Sequence, residues 1–207
     1  MTYKTPIAVL ISGRGSNMRA LIESCARPDY PARIALVLSN NPDAPGLETA
    51  RAAGLATQAI DHRDYRRDRA AHERALDAAL RAAGVEYVCL AGYMRLLTPF
   101  LTAAWAGRML NIHPSLLPAY PGLHTHERAL ESGARIHGCT VHWVTEGMDE
   151  GPIIGQAAVP VLAGDTPDVL AARVLQQEHR LYPAALRRVL VPDAAPAAIA
   201  SDCLLSV

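Results

Sequence analysis

From Ile7 to Ile112 short unbroken apolar runs alternate with amphipathic stretches, and this rhythm restricts the fold more than any other feature. Ile7 to Ile11, IAVLI, is the kind of run found in a strand buried on both faces of a parallel sheet. Met18 to Ala26 follows with Leu21, Ile22 and Cys25 on one helical face. A second strand, Ile34 to Leu38, is ended by Ser-Asn-Asn-Pro, and a helix over Leu47 to Ala53 is closed by Gly54. Ala56 to Ile60 reads as a third strand. Asp61 to Ala83 reads as one helix, with Ala71, Ala75, Leu76, Ala79 and Leu80 at helical spacing and charges of alternating sign on a solvated face. Gly84 ends it, and Val85 to Ala91 and Arg108 to Ile112 are further strands. The pattern predicts an α/β fold, a mostly parallel twisted sheet with helices on both faces.

After Pro114 the texture changes. Pro114, Pro118, Pro121 and Gly122 stiffen an irregular segment, since each proline fixes φ and removes a donor. A short helix over His126 to Ser132 precedes an extended pair, Ile136 to Val144 and Ile153 to Val161, joined through Gly147 and Gly151 as an antiparallel extension. Thr166-Pro167-Asp168 opens a final helix, Val169 to Leu190. Neither a repeat nor a linker interrupts the chain, so one domain is expected over 1–190, followed by an Ala/Pro-rich, loosely held tail over 191–207.

Composition excludes several functions. The 207 residues are 50% hydrophobic and 19% charged, as in a compact domain rather than a disordered chain. Lys+Arg and Asp+Glu are 20 each, and this zero balance argues against a general nucleic-acid binder. Lys4 is the sole lysine and lies in a frayable terminus, which argues against a phosphate-binding or Schiff-base lysine. Cys25, Cys89, Cys139 and Cys203 form no CxxC pair, which fits a reducing cytosol better than a disulfide framework or a zinc knuckle. Met1 to Pro6 lacks a signal-peptide pattern, and no apolar run approaches the ~20 residues of a membrane span. A cytoplasmic protein without membrane or nucleic-acid partners is expected.

Two segments carry candidate chemistry. Ser12 to Asn17, SGRGSN, joins a buried strand to a helix, with glycines that let the backbone approach a ligand and helix amides free to meet an anion. It lacks the third glycine of the dinucleotide fingerprint, and it reads equally as a tight turn without a ligand. In Asn111-Ile112-His113-Pro114, strand geometry puts Asn111 and His113 on one face, about 7 Å apart. There an amide and an imidazole at a strand's carboxyl end suit acyl transfer, as oxyanion donors and acid or base; the alternative is a structural histidine. The spacing of His124, His126, His137 and His142 matches no metal motif, and Ser115 lacks a nucleophile elbow. Asp149, in a glycine-flanked loop, gains meaning only near His113, where its carboxylate would favour the imidazolium.

Together these pieces resemble the phosphoribosylglycinamide formyltransferases of the folate-dependent formyltransferase family. The resemblance rests on ISGRGSN, LAGYMRLL from Leu90, NIHPSLLPAYPGLHTHERAL from Asn111, HGCTVHWVTEGMDEGPII from His137, QAAVPVLAGDT and ARVLQQEHRLYP. It runs from about Ile7 to Pro183. The chain is too short for the extra C-terminal domain of methionyl-tRNA formyltransferases or the extra N-terminal one of formyltetrahydrofolate deformylases.

The resemblance implies a Rossmann-like fold and roles for individual residues. Asn111, His113 and Asp149 match the catalytic trio. Gly13, Arg14, Gly15, Ser16 and Asn17 match the loop holding the substrate phosphate, and Glu178 the acid that binds the ribose hydroxyls. Met94, Arg95, Leu96 and Leu97 match the segment along the folate pterin, with Asn111, Val144, Thr145 and Asp149 also beside the folate. Arg69 matches a basic residue near the folate tail. The N-terminal half would hold the phosphate, and the C-terminal half the folate and the catalytic loop. The implied reaction moves the formyl group of 10-formyltetrahydrofolate, a co-substrate, to the amine of glycinamide ribonucleotide in purine biosynthesis, without a metal, in a monomer or homodimer. The rival readings are a formyltetrahydrofolate deformylase, a non-catalytic nucleotide- or folate-binding module, and a nicotinamide dehydrogenase.

Overall fold

The computed structural model describes residues 3–192 and 204–206. Strands β1 (Thr5–Ile11), β2 (Ala32–Ser39), β3 (Thr57–Ala59), β4 (Tyr87–Leu90), β5 (Met109–His113), β6 (Ile136–Trp143), β7 (Ile153–Pro160) and β8 (Leu204–Ser206) form one sheet. Its order is β3-β2-β1-β4-β5-β6-β7-β8. Pairings are parallel from β3 through β5 and antiparallel from β5 to β8. The expected parallel sheet with an antiparallel extension is what the chain forms.

Alternation along β1 shows why helices are needed on both faces. Ile7, Val9 and Ile11 enter one core, where α1 (Ser16–Ala26), α2 (Pro45–Ala52), α5 (Thr125–Glu131) and α6 (Pro167–Leu190) pack through Leu21, Leu47, Ala129 and Leu186. Ala8 and Leu10 enter the other, with Leu76 and Leu80 of α3 (Arg69–Ala82) and Leu101 of α4 (Pro99–Ala104). Each fully buried leucine contributes roughly 1.5–3 kcal/mol relative to exposure, so both layers are worth covering.

The sheet order reverses at β1. The chain leaves β1 for α1 on one face and leaves β4 for α4 on the other, so their carboxyl-end loops diverge and leave a crevice between them.

Four local expectations change. The helix expected over Asp61 to Ala83 is interrupted. Asp61 accepts the Arg63 amide at 2.9 Å and caps a 3-10 turn, His62–Tyr65, before Asp68 caps α3 through the Ala71 amide at 2.8 Å. Side chains that compete for backbone amides divide what the apolar spacing joins. Helix α4, unforeseen, is six residues long, too short to show a period. Lys4 is not at a loose end: its Nζ donates to the carbonyls of Cys25 and Arg27 at 2.9 and 2.6 Å, at the C-terminus of α1. Finally, the tail expected over 191–207 contains β8, paired with β7; residues 193–203 and 207 of it lie outside the described residues.

Candidate active site at the carboxyl ends of the strands

The loop after β1 is built to leave amides free. Gly15, left-handed at φ 69°, stands at the N-cap of α1, where no side chain caps the helix and no acidic residue lies in the first turn. The first-turn N–H groups, with the positive end of the helix dipole behind them, therefore face the crevice. Ser12 to Asn17 line it together with Ala91, Gly92 and Met94, around a volume of about 260 Å³. Gly46, at the start of α2, closes under this loop: its amide donates to the Gly13 carbonyl at 3.1 Å. A Cβ on Gly46 would come within 2.5 Å of Ile11 and 2.9 Å of the Gly13 oxygen, so any side chain there displaces the loop.

Glu178 reaches the same loop from α6. Asn17 Nδ2 donates to Glu178 Oε2 at 2.5 Å, both residues being buried. Burial pushes the Glu178 carboxyl above its ordinary range, and the Asn17 hydrogen bond pulls the other way. One turn further along α6, the buried Tyr182 hydroxyl lies 3.0 Å from the Leu90 carbonyl and 3.1 Å from that of Leu110. Its anchorage to the ends of β4 and β5 sets where along the sheet α6 lies, and so where Glu178 arrives.

Asn111 and His113 leave β5 on one face, opposite His142 and Thr140 of β6. His113 is buried between two acceptors. Nε2 lies 3.0 Å from the Tyr120 carbonyl, which can only accept, so Nε2 carries hydrogen. Nδ1 lies 3.4 Å from Asp149 Oδ2. Asp149 is itself fixed: Oδ2 accepts the Gly122 amide at 2.8 Å, and its backbone is left-handed at φ 59°.

His142 sets the orientation of Asn111. Its Nδ1 donates to the Trp143 carbonyl at 2.9 Å, which leaves the Nε2 lone pair to accept from Asn111 Nδ2 at 3.2 Å. Burial lowers the pKa of His142, against the opposing pull of the Trp143 carbonyl and Asp149, as a neutral acceptor requires. One amide hydrogen of Asn111 is thus held, and the other remains for a ligand oxygen. Nε2 of His142 also lies 3.7 Å from Asp149 Oδ1.

The segment after β4 presents Met94 and Leu96 to solvent, 67% and 59% exposed, an apolar surface suited to a flat ring. Leu97 and Val144 tuck into the core on the α3 side, while Arg95 is half-buried and Thr145 exposed. Ser12 ties this segment to the loop after β1: its hydroxyl accepts the Met94 amide at 2.8 Å and donates to Asn40 Oδ1 at 2.6 Å. The loop bearing Asp149 closes at its base because Gly151 has no side chain; a Cβ there would meet the Trp143 carbonyl at 1.7 Å.

Of the expected site residues, Asn111, His113 and Asp149 meet through His142 and direct contact, and Gly13 to Asn17 meet Glu178 and Met94. Arg69 is the exposed first residue of α3, the helix that packs on α4. Sequence reading placed Ser12 in the candidate anion loop without its bond to Met94, set His142 aside as a metal ligand without its bond to Asn111, and missed Asn40 and Gly46 as parts of the site. Only the Ser-Asn-Asn end of β2 offered a signal, and it also reads as a plain strand stop.

Comparison with known proteins agrees with this geometry. The family described as Formyl transferase matches residues 5–186. The phosphoribosylglycinamide formyltransferase of Escherichia coli (strain K12) is 50% identical over 177 residues, 86% of this chain and 83% of that protein. The trifunctional purine biosynthetic protein adenosine-3 of Gallus gallus is 48% identical over 188 residues, 91% of this chain and 19% of that protein, so the chain spans about a fifth of its length. The solved phosphoribosylglycinamide formyltransferase from Brucella melitensis has a TM-score of 0.87 at 53% identity, covering 94% of this chain and 100% of that one. Glycinamide ribonucleotide transformylase 1 from Symbiobacterium toebii has a TM-score of 0.89 at 48% identity, covering 98% and 93%. With its sheet, its crevice and its Asn-His-Asp cluster accounted for, the chain belongs to the formyl transferase family, and within it to the phosphoribosylglycinamide formyltransferases.

Proposed function

We propose that the chain transfers the formyl group of 10-formyltetrahydrofolate directly to the amine of 5'-phosphoribosylglycinamide, giving the formylated ribonucleotide and tetrahydrofolate, a step of purine biosynthesis carried out in the cytoplasm. The observation that carries this reading is a buried imidazole held between a carboxylate and a carbonyl at the carboxyl end of β5, on the same sheet as β1 and β4, whose following loops line a crevice with an uncapped helix N-terminus. The Escherichia coli and Brucella melitensis proteins, both phosphoribosylglycinamide formyltransferases by name, support phosphoribosylglycinamide as the formyl acceptor. The phosphate would sit on the amides of Gly13 to Asn17, with the Arg14 side chain secondary, and Glu178 would accept from the ribose hydroxyls. The pterin would lie along Met94 to Leu97, against Asn111, Val144 and Thr145, with Arg69 towards its glutamate tail.

In this mechanism the ribonucleotide amine attacks the formyl carbon and makes a tetrahedral intermediate with a developing oxyanion. The free amide hydrogen of Asn111 donates to that oxygen. His113 Nε2 joins it by exchanging the Tyr120 carbonyl for the oxyanion, while Nδ1 stays with Asp149. Collapse breaks the bond between the formyl carbon and folate N10. The amine's surplus proton passes by way of Asp149 and water to N10, so the folate leaves neutral at that atom. Two aimed donors act where charge develops, and removing one such donor typically costs about 10²–10³ in rate. The amine is the nucleophile, so no covalent enzyme intermediate forms.

The test is the folate absorbance change on adding 10-formyltetrahydrofolate with and without the ribonucleotide. Turnover only with the ribonucleotide is expected. Turnover in its absence would mean that water is the acceptor and the protein a deformylase; no turnover in either case would leave a binding module.

A further inference from the structure

Before the formyl oxygen takes the place of the Tyr120 carbonyl, His113 and Asp149 share a support on one loop. Tyr120 offers the carbonyl that meets His113 Nε2, and Gly122 offers the amide that meets Asp149 Oδ2. Two residues apart on one loop, they fix the separation of the catalytic pair. That loop is not relaxed by itself. Tyr120, Gly122 and His124 have φ of 55°, 79° and 57°, and a tyrosine in the left-handed region persists only where its surroundings over-determine it.

The surroundings that do so converge on one side chain of α5. Arg128 Nη1 donates to the Pro121 carbonyl at 2.5 Å and lies 3.4 Å from the Leu123 carbonyl. Its guanidinium stands over the Tyr120 ring, 5.6 Å from the centroid. The far end of that ring is held by Ser132, whose Oγ lies 2.5 Å from the tyrosine hydroxyl. Arg128 thus grips the loop on both sides of Gly122 and stacks on the residue whose carbonyl meets His113. A single guanidinium nitrogen faces both carbonyls while the guanidinium carbon lies over the ring.

We propose that Arg128 is a positioning residue for formyl transfer: it holds the Tyr120–Leu123 loop, and through that loop the geometry of His113 and Asp149, without touching either substrate. This rests on the function proposed above. Its side chain is far in role from the phosphate loop, so its loss should lower kcat and spare ribonucleotide binding.

The experiment compares Arg128→Ala, Arg128→Met and Arg128→Lys with the unaltered protein in the transfer assay, and follows hydrogen exchange of the Gly122 amide in each. Methionine retains packing on Tyr120 and removes the donors; lysine retains a donor for the Pro121 carbonyl. Expected is a fall in kcat of about tenfold or more in the Ala and Met variants, with KM for the ribonucleotide within about twofold, since small misplacements of catalytic groups are costly in rate. The Gly122 amide should exchange faster in the same two variants, and lysine should restore most of both. A Met variant with kcat within twofold of the unaltered protein, or with unchanged Gly122 exchange, overturns the proposal. If the unaltered protein shows no ribonucleotide-dependent transfer, the functional reading fails, and the exchange rates of the Met and Lys variants still decide the role of Arg128.

Discussion

At the scale of single residues, roles separate by what each side chain still has to offer a ligand. His113 is flanked by a carbonyl and a carboxylate, so what it has to offer a ligand is an N–H held in place. His113→Ala and Asp149→Asn are therefore expected to lower kcat by about 10²-fold or more while ribonucleotide binding, measured by calorimetry, stays within a few-fold. Near-full turnover in either would remove it from the mechanism. Glu178 behaves differently because burial raises its pKa. The folded state then keeps the proton to higher pH than the unfolded chain, so ionisation costs stability. That cost is absent below the unfolded-state pKa and grows as pH rises through the raised folded value. Glu178→Gln leaves an oxygen for Asn17 and nothing to ionise. It should melt at a higher temperature than the unaltered protein at pH 8, with the difference closing towards about pH 4, the ordinary carboxyl range, and it should raise KM for the ribonucleotide. A variant melting no higher at pH 8 would show that the buried carboxylate carries no such cost.

Elements decide what the residues can reach, and here the sequence was legible in part. Strand β1 could be read from IAVLI because a doubly buried strand has no polar face, and β5 because Asn111 and His113 must share a side. The division of residues 61–83 and the short α4 escaped, because caps and a six-residue helix leave no periodic trace. Gly46 escaped for another reason: a glycine that matters through contact with residue 13 looks like any other in its own neighbourhood. The loop it underlies binds through backbone amides if the proposed phosphate site is right, which gives a paired expectation. Arg14→Ala should change KM for the ribonucleotide by less than about threefold, since peptide N–H groups survive truncation of an exposed side chain. Gly46→Ala should raise it by about tenfold or more, because the added methyl meets Ile11 and the Gly13 oxygen. Steady-state kinetics on both variants checks this, and the reverse ranking would make Arg14 the main phosphate ligand.

For the whole molecule, the strand order gives the two proposed substrates one place to meet. The reversal at β1 opens the crevice between the loops that leave β1 and β4, and α6 crosses back on the same face as α1 to bring Glu178 to Asn17. The residues that join these parts are distant in sequence: Ser12, Asn40 and Met94 in one network, Asn111 and His142 in another. No local pattern announces such contacts, which is why motif reading named candidate residues one by one and missed what links them. Ser12 is the sharpest case. Its hydroxyl bridges the Met94 amide and Asn40 Oδ1, so the segment proposed for the pterin takes its position from the loop proposed for the phosphate. Ser12→Ala removes both bonds, and the exposed Met94 amide turns to water instead, so the loss is the net worth of the two hydrogen bonds, about 0.5–1.5 kcal/mol each. The folate segment should loosen more than the phosphate loop, which keeps its helix amides and Gly46. KM for 10-formyltetrahydrofolate is therefore expected to rise by roughly five- to tenfold, given that 1.4 kcal/mol is a factor of ten, with KM for the ribonucleotide and kcat at saturation nearly unchanged. Equal rises in both Michaelis constants would mean that the two loops move as one body, and an unchanged folate constant would mean that Met94 holds its place without Ser12.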